Sequence, residues 1–445
     1  MVDSPVQQEI ELESPVRASD PVRSEGVDKP APFVLTPGQE AGFQTFINFY
    51  SNPDAQVMVL KGWSGTDKST LIRRILDEME TLDRALSTLD DNFEPFEPLL
   101  TATTNQACDA LAVAMKEFNH EVKTIHRALG LRLRTDYKTG KSELMPIRNF
   151  DIPFRCLIVV DEASYIDPAL LQFCFDRTDC CKFIFVGDDC QLTPVGTNIM
   201  PAFAMKDIVV ELTEVKRQNS GPLLDLCNAF RHTVKTGEWP KIQLDGDQLI
   251  HVQRDKFVEM AEEAFQNPQV HGSTKVLAYT NACVTEYNKH FSQLLLGSSD
   301  PQVGQKMLVN EAVINKHAQL SNGSEVVIED IRPTREFDVD GYLVKLMHHN
   351  SSFFLPKSLK DRKDREKLAR KEEDYKILQL IDQNWVDLRP AFSCTVNKSQ
   401  GSTYDTVFID LDNICGKVHR PNALARLLYV GFSRARRRVV MTGDM

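Results

Sequence analysis

Nine consecutive residues, Gly62-Trp63-Ser64-Gly65-Thr66-Asp67-Lys68-Ser69-Thr70, combine glycines, an amine and hydroxyls at the spacing of a phosphate-binding loop. Such a loop needs successive backbone N–H groups around phosphate oxygens, a lysine for the β/γ charge and a hydroxyl for Mg²⁺. Lys68 and Ser69 supply the last two, with Gly62, Gly65, Thr66 and Thr70 around them. The usual pattern has glycine where this chain has Asp67, and taken alone the segment also reads as a plain Gly/Ser turn. Further on, Leu157-Ile158-Val159-Val160-Asp161-Glu162 is an apolar run closed by two acids. At a strand end Asp161 suits hydrated Mg²⁺ and Glu162 suits activation of an attacking water, although such acids also serve as ordinary helix caps. A third segment, Gly187-Asp188-Asp189-Cys190-Gln191, offers an amide that could reach a γ-phosphate or remain solvated. The first two motifs in this order point to nucleoside triphosphate hydrolysis.

These residues need strands and helices to hold them. Residues 57–60 read as a short buried strand and 71–79 as a helix, so the glycine loop sits between strand and helix. Residues 99–103, 156–160 and 182–186 read as further strands, and 106–118 as a helix. Apolar runs on consecutive positions indicate burial on both faces, as in a parallel sheet. Thr36-Pro37-Gly38-Gln39 is a helix start. Residues 131–146 alternate around Lys138-Thr139-Gly140, a hairpin signal inside the first α/β block. A second block begins near Leu212, with strands at 275–279 and 406–411 and a helix at 424–433. Between its parts, strand-like pieces at 326–331, 342–347 and 352–355 precede a charge-rich helix over 359–381.

The 445 residues allow two to four domains, and 42% hydrophobic with 26% charged residues is ordinary for a globular chain. No apolar run is long enough for a membrane span, and the acidic, proline-containing start does not read as a secretion signal. Residues 1–34 hold seven acids, three bases and five prolines, a disordered tail by composition. None of the ten cysteines forms a CxxC pair, which fits reduced thiols better than a zinc ribbon. The net charge of −11 neither supports nor excludes nucleic acid, since its distribution matters more than its sum.

The ordered set of motifs resembles superfamily-one DNA helicases of the branch containing RecD and the phage Dda helicases. The matching segments include Leu35-Thr36-Pro37-Gly38-Gln39, Ala102-Thr103-Thr104-Asn105, Thr124-Ile125-His126 and Glu211-Leu212-Thr213-Glu214-Val215-Lys216-Arg217. Thr280-Asn281 with Asn288, Ser321-Asn322-Gly323, Thr395-Val396-Asn397-Lys398-Ser399-Gln400-Gly401 and Tyr429-Val430-Gly431-Phe432-Ser433-Arg434-Ala435 complete it. The family carries glycine at Asp67 and usually histidine at Asn397.

The resemblance implies an α/β chain of two RecA-like P-loop motor domains. The first would cover residues 35–213, with 122–151 an inserted hairpin acting as a wedge. The second would comprise 214–295 and 391–445, with 296–390 a small SH3-like β-module plus the charged helix. It implies ATP and Mg²⁺ as cofactors, with Gln39 and Gly401 joining the nucleotide site, Ser69 and Asp161 on the metal, and Gln191 sensing the γ-phosphate. Lys68, Asp161, Glu162, Gln191, Arg217 and Arg434 would be catalytic, the two arginines reaching across the cleft from the second domain. Thr104, Asn105, Thr124, His126, Thr395 and Lys398 would meet single-stranded DNA, since hydroxyls and amides suit phosphate and sugar. The expectation is thus a monomeric helicase of phage replication or recombination, moving 5′→3′ on single strands and opening fork duplex in host cytoplasm. Its acidic tail could dock a replisome protein. Two other readings are a nuclease–helicase or topologically active ATPase, and a DNA-binding accessory protein disabled by Asp67.

Overall fold

The computed structural model of the chain describes residues 34–444 except 119, 136–141, 195, 206, 216–220, 268 and 316–317. The acidic tail, the hairpin turn at Lys138-Thr139-Gly140 and Arg217 therefore lie outside the described residues.

Two parallel sheets organise residues 35–444. The first has six strands in the order Val122–Thr124, Glu97–Ala102, Cys156–Asp161, Lys182–Gly187, Val57–Gly62 and Val209–Leu212. Its strand Cys156–Asp161 shows why the apolar runs form it. Leu157 and Val159 enter the core on one face, Ile158 and Val160 the core on the other, and all four are inaccessible. Each such side chain contributes about 1.5–3 kcal/mol through burial. One face is covered by the helices Pro37–Ser51 and Lys68–Leu89, the latter burying Leu71, Ile72, Ile75, Leu76 and Met79 at helical spacing. Thr36 and Gln39 start the former with reciprocal side-chain-to-backbone hydrogen bonds. Lys182 closes its far end, donating to the carbonyls of Phe49, Asn52 and Ala55.

The second sheet has five parallel strands in the order Ser393–Thr395, Thr274–Ala278, Tyr404–Asp410, Ala435–Thr442 and Leu249–His251. The helices Pro222–Thr236 and Pro421–Ser433 pack on one face and Arg254–Gln266 with Asn281–Leu296 on the other. Between Thr274–Ala278 and Ser393–Thr395 the chain leaves to build a five-stranded antiparallel module, whose edge strand Leu388–Pro390 returns beside Lys306–Val309. The fold is therefore α/β with two RecA-like lobes, as expected, together with an inserted hairpin and β-module. Among the described residues no helix is long and apolar enough to cross a membrane.

Two local expectations need correction. Val122–Thr124, assigned above to the inserted hairpin, pairs in parallel with Leu100–Ala102 as the edge of the first sheet. A three-residue, half-buried strand is too short to show a period. The hairpin itself is the ladder Leu131–Thr135 with Ser142–Pro146. The charge-rich helix over 359–381 is two helices, Leu359–Lys371 and Tyr375–Asn384. They break where Glu373 adopts φ 56° and Asp374 caps the second helix by accepting from the Ile377 N–H. In the second helix Leu378 and Ile381 are buried, and the buried Trp385 just beyond it packs at a tilt against Phe354, ring centroids 4.6 Å apart.

Candidate functional site

The P-loop leaves the strand Val57–Gly62 and enters the helix Lys68–Leu89. It is braced from inside: the Thr66 hydroxyl donates to the Trp63 carbonyl at 2.9 Å, and Lys68 Nζ donates to the carbonyls of Gly62 at 3.0 Å and Trp63 at 3.3 Å. Gly62 is required by close approach, because a Cβ there would lie 2.6 Å from Thr66 Oγ1 and 2.9 Å from Lys68 Cγ. Gln39 braces the loop from outside, donating through Nε2 to the carbonyls of Thr66 and Asp67 at 3.3 and 3.2 Å, while its Oε1 accepts from the Thr36 N–H. Asp67 occupies the left-handed region at φ 59°, ψ 45°, where glycine is the favoured residue and Asp or Asn the best tolerated of the rest. Its side chain is exposed at the mouth of the cleft.

Facing this loop, Asp161 ends its strand and accepts from the Glu162 N–H at 2.9 Å. Glu162 is also left-handed, at φ 50°, and is pinned by the Thr103 hydroxyl, which donates to its carbonyl. Burial pushes the Asp161 carboxyl up in pKa, partly opposed by the Glu162 amide and by Lys68. Burial first, and then the charge on Asp161, pushes Glu162 up, with Lys68, Arg434 and Gln400 pulling it down. Glu162 Oε2 is buried without a hydrogen-bond partner. Ser69 and Asp161 line the same cleft, and a hydroxyl with a carboxylate is a donor set that suits Mg²⁺.

The second lobe closes the other side. Arg434 caps the helix Pro421–Ser433 and is 2% exposed. Its guanidinium donates to the carbonyls of Val430 and Ser402 and approaches the Ser64 hydroxyl of the P-loop at 3.5 Å. Gly401, at φ +86°, lines the cleft with it. Gln191 is buried, and its Oε1 accepts from Gln400 Nε2 at 2.6 Å, so the γ-phosphate candidate on the first lobe is joined directly to the second. Lys68, Ser69, Asp161, Glu162, Gln191, Gly401 and Arg434 thus meet in one cleft; Arg217 lies outside the described residues.

Three residues at the lobe interface were not singled out by sequence. Arg426 holds the Gln191 loop, donating to the carbonyls of Asp189 and Gln191 at 2.8 and 2.6 Å. Arg231 pairs with Asp188 and Asp189. The Tyr429 hydroxyl donates to Asp188. Tyr429 stood within a quoted motif, but the other two carried no local signal. Asp188, Asp189 and Cys190 bring potential metal-ligand atoms together. Arg231 already neutralises the two carboxylates, so this cluster reads as an ion-pair network.

Of the six residues expected on DNA, Thr104 and Asn105 follow Glu97–Ala102, the second strand of the first sheet, while Thr124 with His126 and Thr395 with Lys398 lie at the ends of an edge strand of the first and the second sheet. Thr104, Thr124 and Thr395 each accept, through the side chain, from a backbone N–H three residues on, starting the helices after Glu97–Ala102, Val122–Thr124 and Ser393–Thr395. Thr280 does the same after Thr274–Ala278. Asn105 opens its helix half-buried. Burial lowers the pKa of His126, opposed by Asp167, which favours the neutral ring at pH 7. Lys398 Nζ donates to Asn310 of the β-module, and burial lowers its pKa.

Residues 49–197 match the AAA domain family and residues 390–442 the UvrD-like helicase C-terminal domain family. The chain is also similar to a solved structure of Pif1 helicases described as unwinding forked double-stranded DNA, with 15% identity, 93% of each chain covered and a TM-score of 0.50. A Bacteroides Pif1 helicase with ADP–AlF3 and single-stranded DNA gives 15% identity, 93% and 94% coverage and a TM-score of 0.47. The Candida albicans Pif1 helicase gives 16%, 93% and 95%, and 0.45. Fold and site define a two-lobed, RecA-like α/β chain with a P-loop facing the cleft between its lobes. Its nucleotide loop falls in the first matched segment, and Gly401 and Arg434 fall in the helicase-type second.

Proposed function

We propose that this chain is an ATP-dependent DNA helicase that hydrolyses ATP between its lobes and moves along single-stranded DNA. The observation that carries the reading is Arg434, which comes from the second lobe yet lies against the P-loop in the cleft that holds Lys68, Asp161 and Glu162. A guanidinium delivered across a closing cleft stabilises charge on a transferring phosphoryl group. Lys68 exchanges its two loop carbonyls for phosphate oxygens. Glu162, whose Oε2 has no protein partner, takes the proton of the attacking water. Ser69 and Asp161 would hold Mg²⁺, which would supply charge neutralisation on the phosphates. Gln191, bonded to Gln400, passes the state of the γ-phosphate to the second lobe.

The DNA path follows from four threonine-capped helix starts, at Thr104, Thr124, Thr280 and Thr395, on the outer strands of the two sheets. Backbone N–H groups at helix starts suit phosphate without reading sequence. The UvrD-like helicase match over residues 390–442 and the fold likeness to the Pif1 structure with forked DNA agree with this reading. A 5′→3′ polarity, action as a monomer, a phage replication or recombination setting in host cytoplasm, and docking through the acidic tail rest on the motif resemblance and tail composition. The accessory reading, which rests on Asp67 disabling the loop, is weakened because that carboxylate is exposed to solvent at the mouth of the cleft. Strand displacement on 5′-tailed and 3′-tailed duplexes with ATP tests the reading. Unwinding of the 5′-tailed substrate is expected, and no ATP-dependent unwinding of either would reject it.

A further inference from the structure

Ser64 is gripped twice by one helix of the opposite lobe. Its N–H donates to Tyr429 Oη at 3.2 Å, and its hydroxyl lies 3.5 Å from Arg434 Nη2. Tyr429 and Arg434 are five residues apart at the end of the helix Pro421–Ser433, about 7.5 Å along its axis. The tyrosine hydroxyl is not a chance contact. It donates to Asp188 Oδ2 at 2.5 Å, and the other Asp188 oxygen pairs with Arg231, whose guanidinium lies over the Trp63 ring at 5.1 Å. Tyr429, Asp188 and Arg231 are 2%, 0% and 3% exposed. A polar group buried to this extent is held by its partners. Burial also raises the phenol's pKa well above its ordinary value, so the proton stays on the hydroxyl and one lone pair remains for Ser64.

Asp188 ends one strand of the first lobe and the P-loop ends its neighbour. One hydroxyl of the second lobe therefore bridges both. We propose that Tyr429, docked on the Ser64 amide and Asp188, is a positioning residue that sets the helix register against the P-loop and so places Arg434 for phosphoryl transfer. The inference rests on the ATPase reading above and adds to it a residue that never touches the nucleotide.

The test uses the full chain with Tyr429→Phe, which removes only the hydroxyl, and Ser64→Ala, which removes only the Arg434 contact at a half-exposed position. In DNA-stimulated ATP hydrolysis each variant is expected to lose about tenfold to a hundredfold in kcat, the scale of a misplaced catalytic group. KM and the affinity for a fluorescent ADP analogue should stay within about twofold of the parent. Tyr429→Phe combined with Arg434→Lys should fall no further than Arg434→Lys alone, because the tyrosine acts through the arginine. Unchanged kcat in both single variants, or losses that multiply in the combination, would overturn the proposal. Hydrogen exchange of the Ser64 amide without nucleotide gives a reading independent of activity. It should quicken by about fivefold or more in Tyr429→Phe, the loss of one buried hydrogen bond, and unchanged exchange would overturn the contact. A parent chain without DNA-stimulated hydrolysis would defeat the ATPase reading, and the positioning role with it, while the exchange result separately decides whether the docking contact exists.

Discussion

Replacing Asp67 by glycine separates two effects that the structure makes opposite in kind. If the carboxylate stood about 4 Å from phosphate at an effective dielectric of about 20, each pair of charges would repel by about 4 kcal/mol, enough to cripple binding. The side chain is instead exposed to water at the mouth of the cleft, on a left-handed backbone. Taking a solvated separation of roughly 7 Å and a dielectric near 80, the repulsion would fall to about 0.6 kcal/mol per phosphate charge. For a nucleotide tail with two nearby charges this is about 1 kcal/mol, or roughly fivefold in affinity. Stability should scarcely move. Relief of the left-handed conformation, about 1–2 kcal/mol at most for a side chain tolerant of it, is offset by glycine's entropy, about 0.5–1 kcal/mol, and by loss of an acid at a helix start, about 0.3–1 kcal/mol. Titration with a fluorescent ATP analogue should show Asp67→Gly binding about fivefold tighter at low salt, with the gap closing at high salt as exposed charges are screened. A hundredfold gain that survives high salt would refute the reasoning, as would no gain at low salt.

The general base gives the pH dependence. Glu162 must be ionised to accept a proton, and burial with the Asp161 charge raises its pKa, so kcat should be full at higher pH and fall as pH drops through a value above the usual carboxylate range. Glu162→Gln should flatten that limb and cut kcat by about 10²–10⁴-fold with nucleotide affinity kept, as pH–rate profiles would show. In the first lobe's core, Ile158→Ala should cost about 2–5 kcal/mol in denaturant unfolding, because the side chain is inaccessible on a strand packed from both sides.

What could be read from sequence follows from how local each signal is. The strand Cys156–Asp161 announced itself because both its faces are buried, leaving no polar residue before the acids. The P-loop and its flanking elements were legible because glycines, lysine and hydroxyl sit within nine residues. Val122–Thr124 was hidden because three half-buried residues carry no period. The helix Tyr375–Asn384 was merged with its charged neighbour because the break depends on a single left-handed residue, Glu373. Arg231 could not be found at all: its role needs Asp188, 43 positions earlier, and Trp63, which only the fold brings to its side. The exposure of Asp67 was equally invisible, since residue type reports a charge but not which way it points.

DNA-stimulated ATP hydrolysis by the parent chain and by Arg434→Ala, with nucleotide affinity measured alongside, tests most directly whether the two lobes share one catalytic centre. A loss of about 10³-fold or more in kcat with the nucleotide still bound is the result expected of an arginine acting across the cleft. Hydrolysis by Arg434→Ala at the parent rate would contradict it.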